Sequence, residues 1–84
     1  MTRLETYIKE WGVMPSAFAK RSGVSCARLL RLRRGETEPT LHVMVALTEA
    51  ASAMQHKTVY VVELFEMSRA DELMYRALIR KLPK

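Results

Sequence analysis

A chain of 84 residues makes one domain at most, and folding hides only about 60–65% of the surface that such a chain exposes when unfolded. Its 49% hydrophobic and 27% charged content is that of a globular protein, and no apolar run approaches the roughly 18 residues of a membrane span. The net charge of +5 is concentrated: Lys20, Arg21, Arg28, Arg31, Arg33 and Arg34 put +6 between residues 20 and 34, against eight basic and nine acidic side chains in the remainder.

The predicted elements are all helical. Thr2, with Glu5 three residues later, reads as a capping box, and Leu4, Tyr7, Ile8 and Trp11 follow at helical spacing up to Gly12. Trp11 completes that stripe and is expected in the core. Pro15 suits the first turn of a second helix, which carries Phe18 and Ala19 inward and stops before Gly23. Ser25 is a natural N-cap for a third helix, from Cys26 to about Arg33, which Gly35 closes. Pro39-Thr40 opens a fourth whose two overlapping apolar stripes (Leu41, Met44, Val45, Thr48 and Leu47, Ala50, Ala51, Met54) mark it as central. Gln55-His56-Lys57 reads as a loop. Residues 58–67 can be read two ways: Val59-Tyr60-Val61-Val62 is β-branched, yet Val61, Leu64 and Phe65 have helical spacing. A short helix is the favoured reading and a strand the alternative. Ser68 with Asp71 caps a last helix to about Leu82. The expectation is an all-α domain of five to six short helices.

Function concentrates between residues 14 and 35. Two helices of about eight residues joined by Ser22-Gly23-Val24-Ser25 have the proportions of a helix-turn-helix, with Gly23 supplying a positive φ and Ala19 the small side chain at the closest approach. Val24, Leu29 and Leu32 are spaced to fill the angle between the helices. Concentrated arginine beside a near-neutral remainder is the footprint of a polyanion site.

The run Ala19-Lys20-Arg21-Ser22-Gly23-Val24-Ser25, then Leu29, Arg31, Leu32 and Gly35, then Pro39, resembles the Cro/CI-type (XRE) repressors, in the manner of compact plasmid- or phage-borne regulators. The likeness covers roughly Leu4 to Phe65. It implies a lambda-repressor-like fold, a double-stranded DNA operator as partner, and base-reading positions falling on Cys26, Ala27 and Arg31. Arg28 and Arg34 fall where phosphate contacts are usual in the family. Lys20, Arg21, Ser25 and Arg33 join them as phosphate-binding candidates. One departure stands out: members often carry a phosphate-binding Gln at the start of the second helix, where this chain has Pro15. The side-chain chemistry agrees with the implied roles. Arg31 is a planar fork that fits the O6/N7 edge of guanine, and Ala27 offers a methyl to a thymine methyl.

The C-terminal segment, residues 68–82, has more apolar surface than one domain needs. Leu73, Met74, Ala77, Leu78, Ala70 and Leu82 cover about 180° of a helical wheel, and Tyr75 and Ile79 widen the arc to about 240°. Leu73, Met74, Ala77, Leu78 and Leu82 are therefore the expected interface of a homodimer.

Other features carry no function in this reading. Met44 and Met54 lie on core stripes. His42 and His56 stand alone, the single Cys26 has no disulfide partner, and no His/Cys cluster has metal-site spacing. No catalytic set or Gly-rich phosphate loop is present, so an enzyme is not expected, nor is a cofactor or a small-molecule ligand. Met1 to Glu5 leads into an amphipathic helix without a signal-peptide core, which fits a cytoplasmic protein. Two function classes remain: a DNA-binding repressor, and a protein-interaction module such as a DNA-binding antitoxin or adaptor. RNA binding is disfavoured because no sheet with exposed aromatics is visible.

Overall fold

The computed structural model describes residues 2–81, and among them the secondary structure is entirely helical: α1 (Arg3–Trp11), α2 (Pro15–Ser22), α3 (Cys26–Arg34), α4 (Leu41–Gln55), α5 (Val61–Leu64) and α6 (Arg69–Lys81). The helix ends follow from local chemistry. Thr2, Ser25, Thr40 and Ser68 each accept, through the side-chain oxygen, the backbone N–H three residues on, at 3.1, 3.1, 3.2 and 3.1 Å. Gly12, Gly23 and Gly35 end the first three helices in the left-handed region, and His56 does the same for α4 at φ 55°.

The core is a single cluster wrapped around α4. Val43, Met44, Val45, Leu47, Ala50 and Ala51 are buried along it, and Phe18 and Ala19 of α2, Leu29 and Leu32 of α3, and Leu4, Tyr7 and Ile8 of α1 close over them. Met54 packs half-buried against that cluster. The buried face of α4 runs almost all round the helix, as its two overlapping stripes require.

Residues 58–67 resolve in favour of the short helix. Val59 lies outside any helix, next to the extended Tyr60, and Ser52 takes the place of a strand partner: its Oγ accepts the Val59 N–H at 2.9 Å while donating to the Thr48 carbonyl at 3.0 Å. Glu63 then caps α5 by accepting the Tyr60 N–H at 2.8 Å. The β-branched run thus buries Val59 and Val61 without forming a sheet.

Trp11 corrects an expectation. It is 47% exposed, not a core residue. Gly12 turns the chain beneath it, and the Val13 N–H bonds back to the Ile8 carbonyl at 3.1 Å, so Val13 takes the core position instead. The Trp11 ring is covered from outside by the Lys57 ammonium, 3.6 Å from its centroid.

The last helix, α6, rests on α4 through Tyr75, 4% exposed, and through Leu78, half-buried against the core. Burial pushes the Tyr75 phenol above its ordinary range; the Thr48 hydroxyl beside it acts in the opposite sense, and Glu49 adds to the rise. Leu78, expected at a homodimer interface, therefore packs in part against the domain's own core. It falls only about 60° round the wheel from Tyr75. Leu82 lies outside the described residues. No helix of the described residues is long and apolar enough to cross a membrane.

Candidate nucleic-acid interface

The segment joining α2 to α3 is held from within. Ser22 Oγ donates to the Ala19 carbonyl at 3.1 Å and accepts the Val24 N–H at 3.2 Å, and the Gly23 N–H returns to the Ala19 carbonyl at 3.0 Å. Gly23 sits at φ 78°, a conformation that costs a side-chain-bearing residue roughly 1 kcal/mol. Val24 plugs the corner, buried against Leu29 and Leu32 in the common cluster. The turn therefore fixes the rotation of α3 about its axis, and with it which side chains face outward.

At about 100° per residue, the buried side of α3 is centred between Leu29 and Leu32. The opposite side carries Ala27, Arg31 and Arg34, all exposed, with Leu30 and Cys26 on one flank and Arg28 on the other. Lys20, Arg21 and Ser25 are exposed on the adjoining end of α2 and the turn. Cys26 is a free, exposed thiol at the first position of α3. Five of the six cations of the segment, with Cys26, Ala27 and Ser25, therefore stand on the open surface of one helix pair. Arg34 has only a loose partner, Glu36 at 3.8 Å, between side chains that are both more than half exposed. Such a pair holds at most about 1 kcal/mol and yields readily to a phosphate.

Arg33 is turned away from this surface. Its Nε and Nη2 donate to Glu5 Oε1 at 2.9 and 2.8 Å, and only about a fifth of each side chain is exposed. Thr2 adds a second tie, its Oγ1 donating to the Arg33 carbonyl at 2.8 Å. Arg33 thus locks the C-terminal end of α3 to the start of α1, and its grouping with the phosphate-binding side chains is corrected on that ground. Glu5 is the reason the capping box is only half formed: its backbone N–H meets Thr2, while its carboxylate is spent on Arg33. Leu30, 39% exposed amid the cations, is the surface residue that the sequence reading did not single out.

The three arginines of α3 accordingly separate into three expected behaviours. Arg31→Ala is expected to cost about 1–3 kcal/mol on a cognate DNA site and to relax preference at one base pair. Arg34→Ala is expected to weaken all sequences about equally. Arg33→Ala is expected to lower stability by roughly 1.5–3 kcal/mol, with little change in sequence preference. Thermal unfolding and binding to cognate and random duplexes separate them; a uniform loss for Arg31→Ala would reduce it to a phosphate contact.

A groove of about 980 Å³ runs behind α3, lined by Arg3, Lys9, Arg33 and Arg34 and equally by Glu5, Glu38, Glu66 and Asp71. Its four cations are balanced by four carboxylates, with Arg3 3.8 Å from Glu66 and Arg33 2.8 Å from Glu5, so it has little net field to draw an anion. Among the described residues no group of three His, Cys, Asp or Glu side chains could hold a metal ion. In comparisons with known proteins no family model matches the chain, and neither a curated protein nor a solved structure matches it.

Proposed function

We propose that this chain is a sequence-specific, double-stranded-DNA-binding transcriptional repressor, acting as a homodimer on a palindromic operator through a lambda-repressor-like helix-turn-helix. The observation that carries the reading is the outer face of α3: Ala27, Arg31 and Arg34 project from a helix whose rotation is fixed by Val24, Leu29 and Leu32, with Lys20, Arg21 and Arg28 at its margins and no acidic residue between positions 20 and 34. A rigid helix presenting a guanine-matching fork among phosphate-matching cations suits a major groove. Lys20, Arg21, Ser25, Arg28 and Arg34 hold the backbone in this reading, and Cys26, Ala27 and Arg31 face base edges. Since α2 starts at Pro15 with no side-chain cap, the anchoring cations take the part of the Gln common in Cro/CI-type proteins. Occupying a promoter is enough to repress it, so no further element is required.

The second reading, a protein-interaction module such as an antitoxin or adaptor, draws on the exposed apolar face of α6, where Leu73 and Met74 are 55% and 58% exposed. A second copy of the chain is the occupant this face fits best. The stripe Ala70, Leu73, Met74, Ala77 reads small, large, large, small in either direction. Two such helices crossing antiparallel about a two-fold axis set each alanine against an alanine and each large side chain against a large one.

In-vitro selection from random duplexes is expected to return an inverted repeat with half-site centres about one helical turn, roughly 34 Å, apart. Recovery of no preferred sequence would overturn the repressor reading, and recovery of an unrepeated half-site would overturn the homodimer.

A further inference from the structure

We propose that Leu30 is a specificity-determining residue, reading the C5-methyl group of one thymine in each half-site; the inference rests on the repressor reading and deepens it. An isolated exposed leucine needs no explanation on most surfaces. This one lies on a helix of nine residues that carries four arginines and is otherwise exposed mainly through charge. It also does not stand alone. Cys26 and Ala27 are exposed four and three residues before it, so the three side chains adjoin from the middle of the outer face to one flank.

Helical side chains lean toward the N-terminus, which carries the Leu30 isobutyl group over the turn that holds Cys26 and Ala27. The outer face is therefore divided lengthwise. An apolar ridge, Cys26–Ala27–Leu30, occupies its N-terminal half, and Arg31 and Arg34 stand beside and beyond it. The N-terminal half is the part of a recognition helix that enters deepest among the bases. Of the groups that base edges display in the major groove, one alone is apolar, the thymine methyl. A leucine placed there against any other edge would strip water from a polar group without replacing its hydrogen bond. The chemistry thus specifies a thymine, stacked beside the base pair that Arg31 reads.

The test uses the full chain and the duplex recovered by selection, with each thymine replaced in turn by uracil, which removes the methyl and leaves every hydrogen-bonding group in place. The thymine beneath Leu30, one per half-site, is expected to respond, with affinity falling about fourfold, the worth of one buried carbon; a thymine that meets the Ala27 methyl responds independently of Leu30. Substituting both half-sites is expected to multiply the losses to about fifteenfold. In Leu30→Ala, whose changed side chain is not part of the buried core, the same uracil substitutions are expected to cost nothing further. A selected site at which no uracil substitution matters, or one at which every loss persists unchanged in Leu30→Ala, overturns the role of Leu30 and leaves the repressor reading standing. Failure to select any site overturns both.

Discussion

Raising the salt concentration from about 50 to 200 mM is expected to weaken operator binding on the order of ten-thousandfold. The magnitude follows from counting cations that are free to meet phosphates. Arg33 is held by Glu5 and contributes none, and Arg31 is assigned to a base edge. Lys20, Arg21, Arg28 and Arg34 remain, four contacts for each protomer and eight for the dimer. At about 0.9 counterion released per phosphate, the slope of log affinity against log salt is about −7. A slope near zero would remove the polyanion site altogether. A slope no shallower in Arg28→Ala or Arg34→Ala would place the contacts on other cations. In Arg33→Ala the slope is expected to be unchanged, since that guanidinium faces α1.

What could be read from the residues alone is what short-range chemistry decides. Thr2, Ser25, Thr40 and Ser68 announced helix starts because a side-chain oxygen three residues before an N–H caps it in almost any context. Gly12, Gly23 and Gly35 announced stops, and the spacing of Val24, Leu29 and Leu32 announced which side of α3 is buried. Long-range choices were not legible in the same way. Nothing near Arg33 in sequence shows that Glu5, 28 residues away, claims it. Arg33 and Arg34 are adjacent and chemically identical; helical spacing puts Arg34 opposite Leu29 and Leu32 and Arg33 nearer the buried side, and the packing of α1 against α3 supplies the carboxylate that Arg33 meets. Trp11 and Leu30 fail together for the opposite reason. Periodicity alone does not say which of two neighbouring apolar side chains turns inward, and the core takes Val13 rather than Trp11 and Leu29 rather than Leu30. The two readings of residues 58–67 were decided by Ser52, a hydroxyl on another element that satisfies the Val59 backbone.

Replacing Leu73 and Met74 together with glutamate is expected to abolish self-association and to reduce binding of a full palindrome by about two to four orders of magnitude, to half-site strength. Removing everything after Met67 is a poorer test of the same interface, because it also strips Tyr75 and Leu78 from the core beneath α6. The paired substitution avoids this. Leu73 and Met74 lie on the side of α6 away from Tyr75, already more than half exposed, so charge there costs the folded protomer little. Across a two-fold seam the same change puts four carboxylates together at its centre, where repulsion opposes any packing gain. Ala70 and Ala77 flank that centre with side chains small enough to let the helices approach closely, so the seam is narrow and its two large pairs carry most of its apolar area. A narrow seam gives a weak dimer off DNA and a tight one on it, because the first half-site bound holds the second protomer at high effective concentration. Sedimentation of the wild-type chain over a range of concentrations is therefore expected to show reversible self-association, which the double variant lacks while keeping its helical content. A folded double variant that still dimerises and binds the palindrome normally would move the interface off α6, with the exposed Tyr60 and Val62 as the next apolar surface to probe.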